Sequence, residues 1–150
     1  MTLTAKECSL LKDMQGQEQL CIQKYDNYAK EACSEQLRSL FQSLADVERG
    51  HLNSINELSA GRIPSLSSNG STVPTPGKAS YTDESAKKKD SYLCSDMLAT
   101  EKHVSSVYDT GVFEFSDAAA RGVLNHIQSE EQSHGLYLYD YMNANGMYGN

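Results

Sequence analysis

Apolar side chains recur every three or four residues along most of this chain, and the pattern is interrupted once. Leu11, Met14, Cys21 and Tyr25 fall on one helical face. Leu37, Leu40, Phe41, Leu44, Leu52 and Ile55 form a second such stripe. Leu93, Met97, Val104, Tyr108 and Val112 form a third, and Leu124, Ile127, Leu138 and Tyr141 a fourth. Start signals precede each stripe. Thr4-Ala5-Lys6-Glu7 reads as a capping box, Ser34 as a cap for the second helix, Thr82 or Asp83 for the third and Ser116 for the fourth. The helices are expected at about 5–30, 35–59, 84–113 and 117–145. Between the second and third, residues 61–80 read GRIPSLSSNGSTVPTPGKAS and hold all three prolines, which predicts a long loop over about 61–81. Four amphipathic helices of about 25 residues bury their stripes by forming a bundle. The expectation is an all-α chain with one domain over 1–150.

The two halves repeat. A shift of 83 positions carries Leu10 onto Leu93, Asp13 onto Asp96, Met14 onto Met97, Glu18 onto Glu101 and Tyr25 onto Tyr108. The same shift carries Leu44 onto Ile127, Glu48 onto Glu131, His51 onto His134 and Ile55 onto Leu138. Shared apolar positions are expected of any two helical hairpins; a shared Glu and Glu-x-x-His set is not. An internal repeat implies a pseudo-two-fold relation in space. The turns are expected near Cys33 and Ser116, midway between Glu18 and Glu48 and between Glu101 and Glu131. Glu18 should therefore face Glu48, and Glu101 should face Glu131, each about 22 Å from its turn at 1.5 Å per residue. With the two turns at opposite ends, the chain must cross the bundle's length between the second and third helices. That need accounts for the long loop as a crossover.

Residues i and i+3 on a helix share a face, so Glu48 converges with His51 and Glu131 with His134. Adding Glu18 and Glu101 gives four carboxylates and two imidazoles at one level of the core. Four buried carboxylates without cations would repel one another and would be costly to desolvate. Two divalent ions would neutralise them, and a Glu from each of two helices with Glu-x-x-His from each of the others is the ligand set of ferritin-like di-iron and di-manganese bundles. Carboxylate and imidazole donors suit Fe or Mn. The plain alternative, surface ion pairs, fits poorly, because Glu18 and Glu48 lie in line with the apolar stripes. Tyr25 and Tyr108 follow Glu18 and Glu101 by seven residues on the same face. They read either as hydrogen-bond partners of a ligating carboxylate or as core aromatics. His103 and His126 fall off the repeat and read as surface or core histidines.

Charge and cysteine usage narrow the classes further. A formal net charge of -7 gives no footprint for nucleic acid and little attraction to an anionic membrane. No run approaches the length of a membrane span, and Met1 to Lys12 lacks the basic and apolar segments of a secretory signal. Cys8, Cys21, Cys33 and Cys94 form no C-x-x-C pair and are scattered over helical segments, which favours reduced thiols over a zinc knuckle or a disulfide framework.

The stretches TEKHVSSVY and LNHIQSEEQSHG and the terminal YDYMNANGMY stand out in the second half. With them the second half closely resembles the coat F family of bacterial spore coat proteins. The first half, with ECSLLKDMQGQEQLCIQKYDNYA, is consistent with that family's ferritin-like domain. The resemblance implies synthesis in the mother cell, deposition in the spore coat, and other coat proteins or further copies of the chain as partners. By ferritin-like analogy Glu48 and Glu131 would bridge two Fe or Mn ions. Glu18 and Glu101 would be terminal ligands, and His51 and His134 would cap one ion each. No rubredoxin-like C-x-x-C module accompanies the bundle. Three functions follow: a coat component stabilised by a dinuclear site, an oxidoreductase that consumes oxygen or peroxide or oxidises iron, or a metal-free interaction bundle.

Overall fold

In the computed structural model, which describes residues 1–66 and 73–148, the apolar stripes lie on four helices. These are α1 (Ala5–Glu31), α2 (Glu35–Ser59), α3 (Glu84–Glu114) and α4 (Ala118–Ala144), with no strand among the described residues. Each begins at a side chain that accepts from an otherwise orphaned backbone N–H. Thr4 and Glu7 form the capping box of α1, Ser34 caps α2 through Leu37 and Asp83 caps α3 through Ser85. The fourth start differs from the expected Ser116. Asp117 is the cap, accepting from Ala120, while the Ser116 N–H is 3.3 Å from Glu7 Oε1. The repeat itself pairs Asp117 with Ser34. Helix α2 stops at Gly61, whose φ of +79° lets Arg62 N–H return to Glu57 O, a closing bond that an L side chain at position 61 would strain.

Helices α1 and α2 pack as one hairpin and α3 and α4 as another, with α1 alongside α3 and α2 alongside α4. Tyr25 reaches Glu101 while Tyr108 reaches Glu18, so α1 and α3 run in opposite directions. The α1–α2 turn lies against the start of α3, where Asp90 accepts from Cys33 N–H at 2.7 Å and Ser34 N–H at 3.0 Å. At the opposite end the start of α1 lies against the α3–α4 turn through Glu7 and Ser116. Gly61 lies at that same end, where its carbonyl accepts from the Met1 ammonium at 3.3 Å. Tyr81 lies at the Asp90 end, donating to Asp90 at 2.6 Å and pairing with the Tyr141 hydroxyl at 2.6 Å.

The core is split in two. Tyr25, Phe41, Leu44, Leu93, Met97, Leu138 and Tyr141 belong to one apolar cluster. Leu11, Met14, Ile55, Leu58, Val104, Tyr108, Leu124 and Ile127 belong to the other. On α2, α3 and α4 the six-residue polar set falls between the two clusters, with Glu48 and His51 on α2, Glu101 on α3, and Glu131 and His134 on α4, while Glu18 on α1 lies between Met14 and Cys21 of the second cluster. Burying each large apolar side chain contributes roughly 1.5–3 kcal/mol, and this holds the costly polar layer between two dry slabs. Gly111 lets α3 approach α1, since a Cβ there would collide with the Met14 side chain. All four cysteines are free, Cys21 and Cys94 buried and Cys8 and Cys33 exposed.

Candidate metal centre

The six residues singled out by spacing converge, and none is more than 3% exposed. Each position follows from helix geometry. The i, i+3 relation brings Glu48 next to His51 and Glu131 next to His134, and the hairpin register brings Glu18 to Glu48 and Glu101 to Glu131. His51 Nδ1 lies 2.8 Å from Glu131 Oε1 and 3.3 Å from Glu48 Oε2. His134 Nδ1 lies 2.7 Å from Glu48 Oε1 and 3.2 Å from Glu101 Oε1. Each imidazole thus approaches most closely the glutamate of the other hairpin. The two rings stack with centroids 5.8 Å apart and planes 17° from parallel.

Two sets of donor atoms can each surround an ion. One comprises Glu18, Glu48, His51 and Glu131, the other Glu48, Glu101, Glu131 and His134, with the atoms in each set within 4.8 Å of one another. Glu48 and Glu131 belong to both. One oxygen on each glutamate (Glu18 Oε2, Glu48 Oε1, Glu101 Oε2 and Glu131 Oε2) is buried without a hydrogen bond. Glu48 Oε1 is close to His134 Nδ1 but is not aligned with it as a hydrogen bond. Buried anionic oxygens left unpaired in this way are expensive. The set of hard oxygen donors with two imidazoles could hold a metal ion, which would satisfy them.

Electrostatics without metal are those of a proton-sharing cluster. Burial, then the charge of Glu48, drives the Glu18 carboxyl well above its usual range. Burial and the charges of Glu48 and Glu101 do the same to Glu131. Burial also opposes ionisation of Glu48, but the close approach of the Glu18 carboxyl and of the His134 and His51 imidazoles outweighs it and holds Glu48 well below the carboxylate range. Burial disfavours the charged imidazoles, yet the surrounding carboxylates lift His51 to about 10 and His134 to about 9.

The tyrosines complete the site crosswise. Tyr25 Oη on α1 donates to Glu101 Oε1 on α3 at 2.6 Å, and Tyr108 Oη on α3 donates to Glu18 Oε1 on α1 at 2.5 Å. Both are fully buried, and burial with the neighbouring carboxylates pushes both phenols well up, so they remain donors. They hold one oxygen of each outer glutamate and leave the second free.

Sequence reasoning passed over three residues. Glu130 Oε1 lies 3.3 Å from His51 Nε2 and 2.8 Å from His126 Nε2, so His126 is tied to the site rather than standing apart. The repeat pairs Glu130 with Val47, which is why a comparison of halves missed it; the i, i+4 spacing of His126 and Glu130 was the available signal. Asp90, fully buried, is the third, and the repeat pairs it with Glu7. A cleft of about 540 Å³ lined by His51, Glu130, His126, Asp46 and Glu57 opens on this side.

Among known proteins, residues 89–150 match the Coat F domain. No curated protein and no solved structure matches the chain. The matched segment takes in Glu101, Tyr108, His126, Glu130, Glu131 and His134, so half of the buried polar cluster belongs to it. This match over residues 89–150 supports the coat F family of spore coat proteins as the family that the chain's second half resembles.

Proposed function

We propose that this protein is a spore coat component, one ferritin-like domain over residues 1–150, that holds two Fe or Mn ions in its core. The observation that carries the metal reading is the pair of four-residue donor sets sharing Glu48 and Glu131, each glutamate with a buried oxygen that has no hydrogen bond. Gly61 and Tyr81, at opposite ends of the helices, favour a crossover connection and hence the ferritin-like topology. Glu48 and Glu131 would bridge the ions, Glu18 and Glu101 would be outer ligands oriented by Tyr108 and Tyr25, and His51 and His134 would each cap one ion. Bound ions would neutralise the carboxylates and stabilise the folded bundle, because only the folded chain assembles the donors. Synthesis in the mother cell and assembly with other coat proteins would follow from membership of the coat F family, which the match over residues 89–150 supports.

Elemental analysis tests this reading. Near two Fe or Mn per chain is expected in the native protein, and almost none in a Glu48→Ala/Glu131→Ala double variant. No metal in the native protein after reconstitution with Fe(II) or Mn(II) would leave a metal-free coat bundle. A second reading, an oxidoreductase consuming oxygen or peroxide, is favoured by the cleft that reaches His51, which offers small oxidants a way in. Turnover of peroxide or oxygen by the metal-loaded protein with several electron donors decides it, and no turnover with any donor leaves the structural role.

A further inference from the structure

The two halves of the cluster match residue for residue in their six charged side chains, but not in what stands behind the imidazoles. His51 turns Nδ1 toward Glu48, Glu131 and Glu18, and Nε2 toward Glu130 at 3.3 Å. Glu130 Oε1 in turn meets His126 Nε2 at 2.8 Å. The repeat maps Glu130 onto Val47 and His126 onto Ser43, so the first half offers His134 no counterpart of this carboxylate. Among the described residues the carboxylates within 4.0 Å of His134 all approach Nδ1. The cleft on this side is lined by His51 and not by His134.

We infer that Glu130, backed by His126, is a positioning residue for His51, and that it makes the two metal positions unequal, with the His51 position taking the first ion. The inference rests on the dinuclear reading above. A metal-binding imidazole presents a lone pair on one nitrogen and keeps a proton on the other, and a carboxylate accepting from the second nitrogen fixes both the tautomer and the ring's direction. Glu130 stands where that acceptor is needed for His51. His134 must adopt the same state without such a partner. The His51 half also faces the cleft, so an incoming cation meets Glu130, His126 and His51 before it meets His134.

Stepwise titration of the metal-free protein with Mn(II), read by calorimetry and by the loss of free-ion signal, tests the inference. The native chain should bind in two unequal steps. Glu130→Ala should weaken the tighter step by about 10–100-fold, the range typical of lost partners of metal-bound histidines, and weaken the other step, which shares Glu48 and Glu131 with it, by clearly less. Glu130→Gln, which keeps an acceptor, should recover part of the loss. In a His51→Ala background Glu130→Ala should have no further effect, whereas in a His134→Ala background its full effect should remain. Equal weakening of both steps, no weakening, or an undiminished effect in the His51→Ala background would overturn the inference while leaving the dinuclear site standing. No Mn(II) binding by the native chain would remove the site and the inference together.

Discussion

His51 and His134 supply the positive charge that lets four buried glutamates coexist before any metal arrives, and their protonation sets how the metal-free chain responds to pH. Both imidazoles are raised in the folded state, to about 10 and about 9, above an ordinary value of 6.5. A raised group stabilises the fold fully below its unfolded pKa and loses that contribution as pH climbs through its folded one. The raised carboxyls of Glu18 and Glu131 act in the same sense, because they remain protonated when folded and ionise when unfolded. Glu48 is lowered, so its contribution is lost only on acidification below the usual carboxylate range. The metal-free protein should therefore lose thermal stability as pH rises from about 6.5 toward 9, the interval bounded by the ordinary histidine value and the folded value of His134. Mn(II) affinity should rise over the same interval, since each ion displaces protons. Thermal midpoints of metal-free and Mn(II)-loaded protein at three pH values check both; a metal-free midpoint that stays level or climbs would contradict the proton-sharing account. At this scale the six buried side chains were legible because a repeated Glu and Glu-x-x-His pattern has few other uses. Glu130 was not, because a supporting carboxylate needs only proximity to a ring nitrogen and keeps no fixed spacing along the chain.

At the scale of helices and turns, two buried acids bind each hairpin to the other. Asp90 on α3 accepts from the Cys33 and Ser34 N–H groups in the α1–α2 turn and from the Tyr81 hydroxyl, and Glu7 on α1 reaches the Ser116 N–H in the α3–α4 turn. Glu7 also closes its own capping box through Thr4, and these backbone donors lower its carboxyl's pKa. Removing Asp90 leaves two partly buried N–H groups without their acceptor, each costing up to about 1–3 kcal/mol, and leaves the Tyr81 phenol only the Tyr141 hydroxyl. Asp90→Ala should therefore destabilise the fold by several kcal/mol in urea unfolding, whereas Asp83→Ala, which removes only an exposed cap, should cost about 1 kcal/mol. A smaller loss for Asp90→Ala than for Asp83→Ala would show that the turn donors find water instead. The four helices were readable to within a residue or so at most ends, because caps and apolar periodicity are local signals. The contact of Asp90 with the α1–α2 turn was not, because Cys33 and Ser34 lie more than fifty residues away in sequence and only the packed hairpins bring them together. Asp117 is the cap in place of Ser116, whose N–H instead meets Glu7 from the first helix.

The whole molecule is a repeat folded on itself, and each half lends the other one glutamate. Three donors of one set (Glu18, Glu48 and His51) come from the first hairpin and the fourth, Glu131, from the second. In the other set Glu101, Glu131 and His134 come from the second hairpin and Glu48 from the first. Neither hairpin alone presents four donors around one ion. The bound ions would then act as a clasp between two pieces, and the covalent link between α2 and α3 would matter for assembling them but not for keeping them together. A chain cut once between Arg62 and Ala79 should stay a single particle in mild denaturant when loaded with Mn(II), and separate into two peptides when the ion is chelated; size-exclusion chromatography reads the difference. A protein built this way could lose a peptide bond in its longest connection and remain, mechanically, one object.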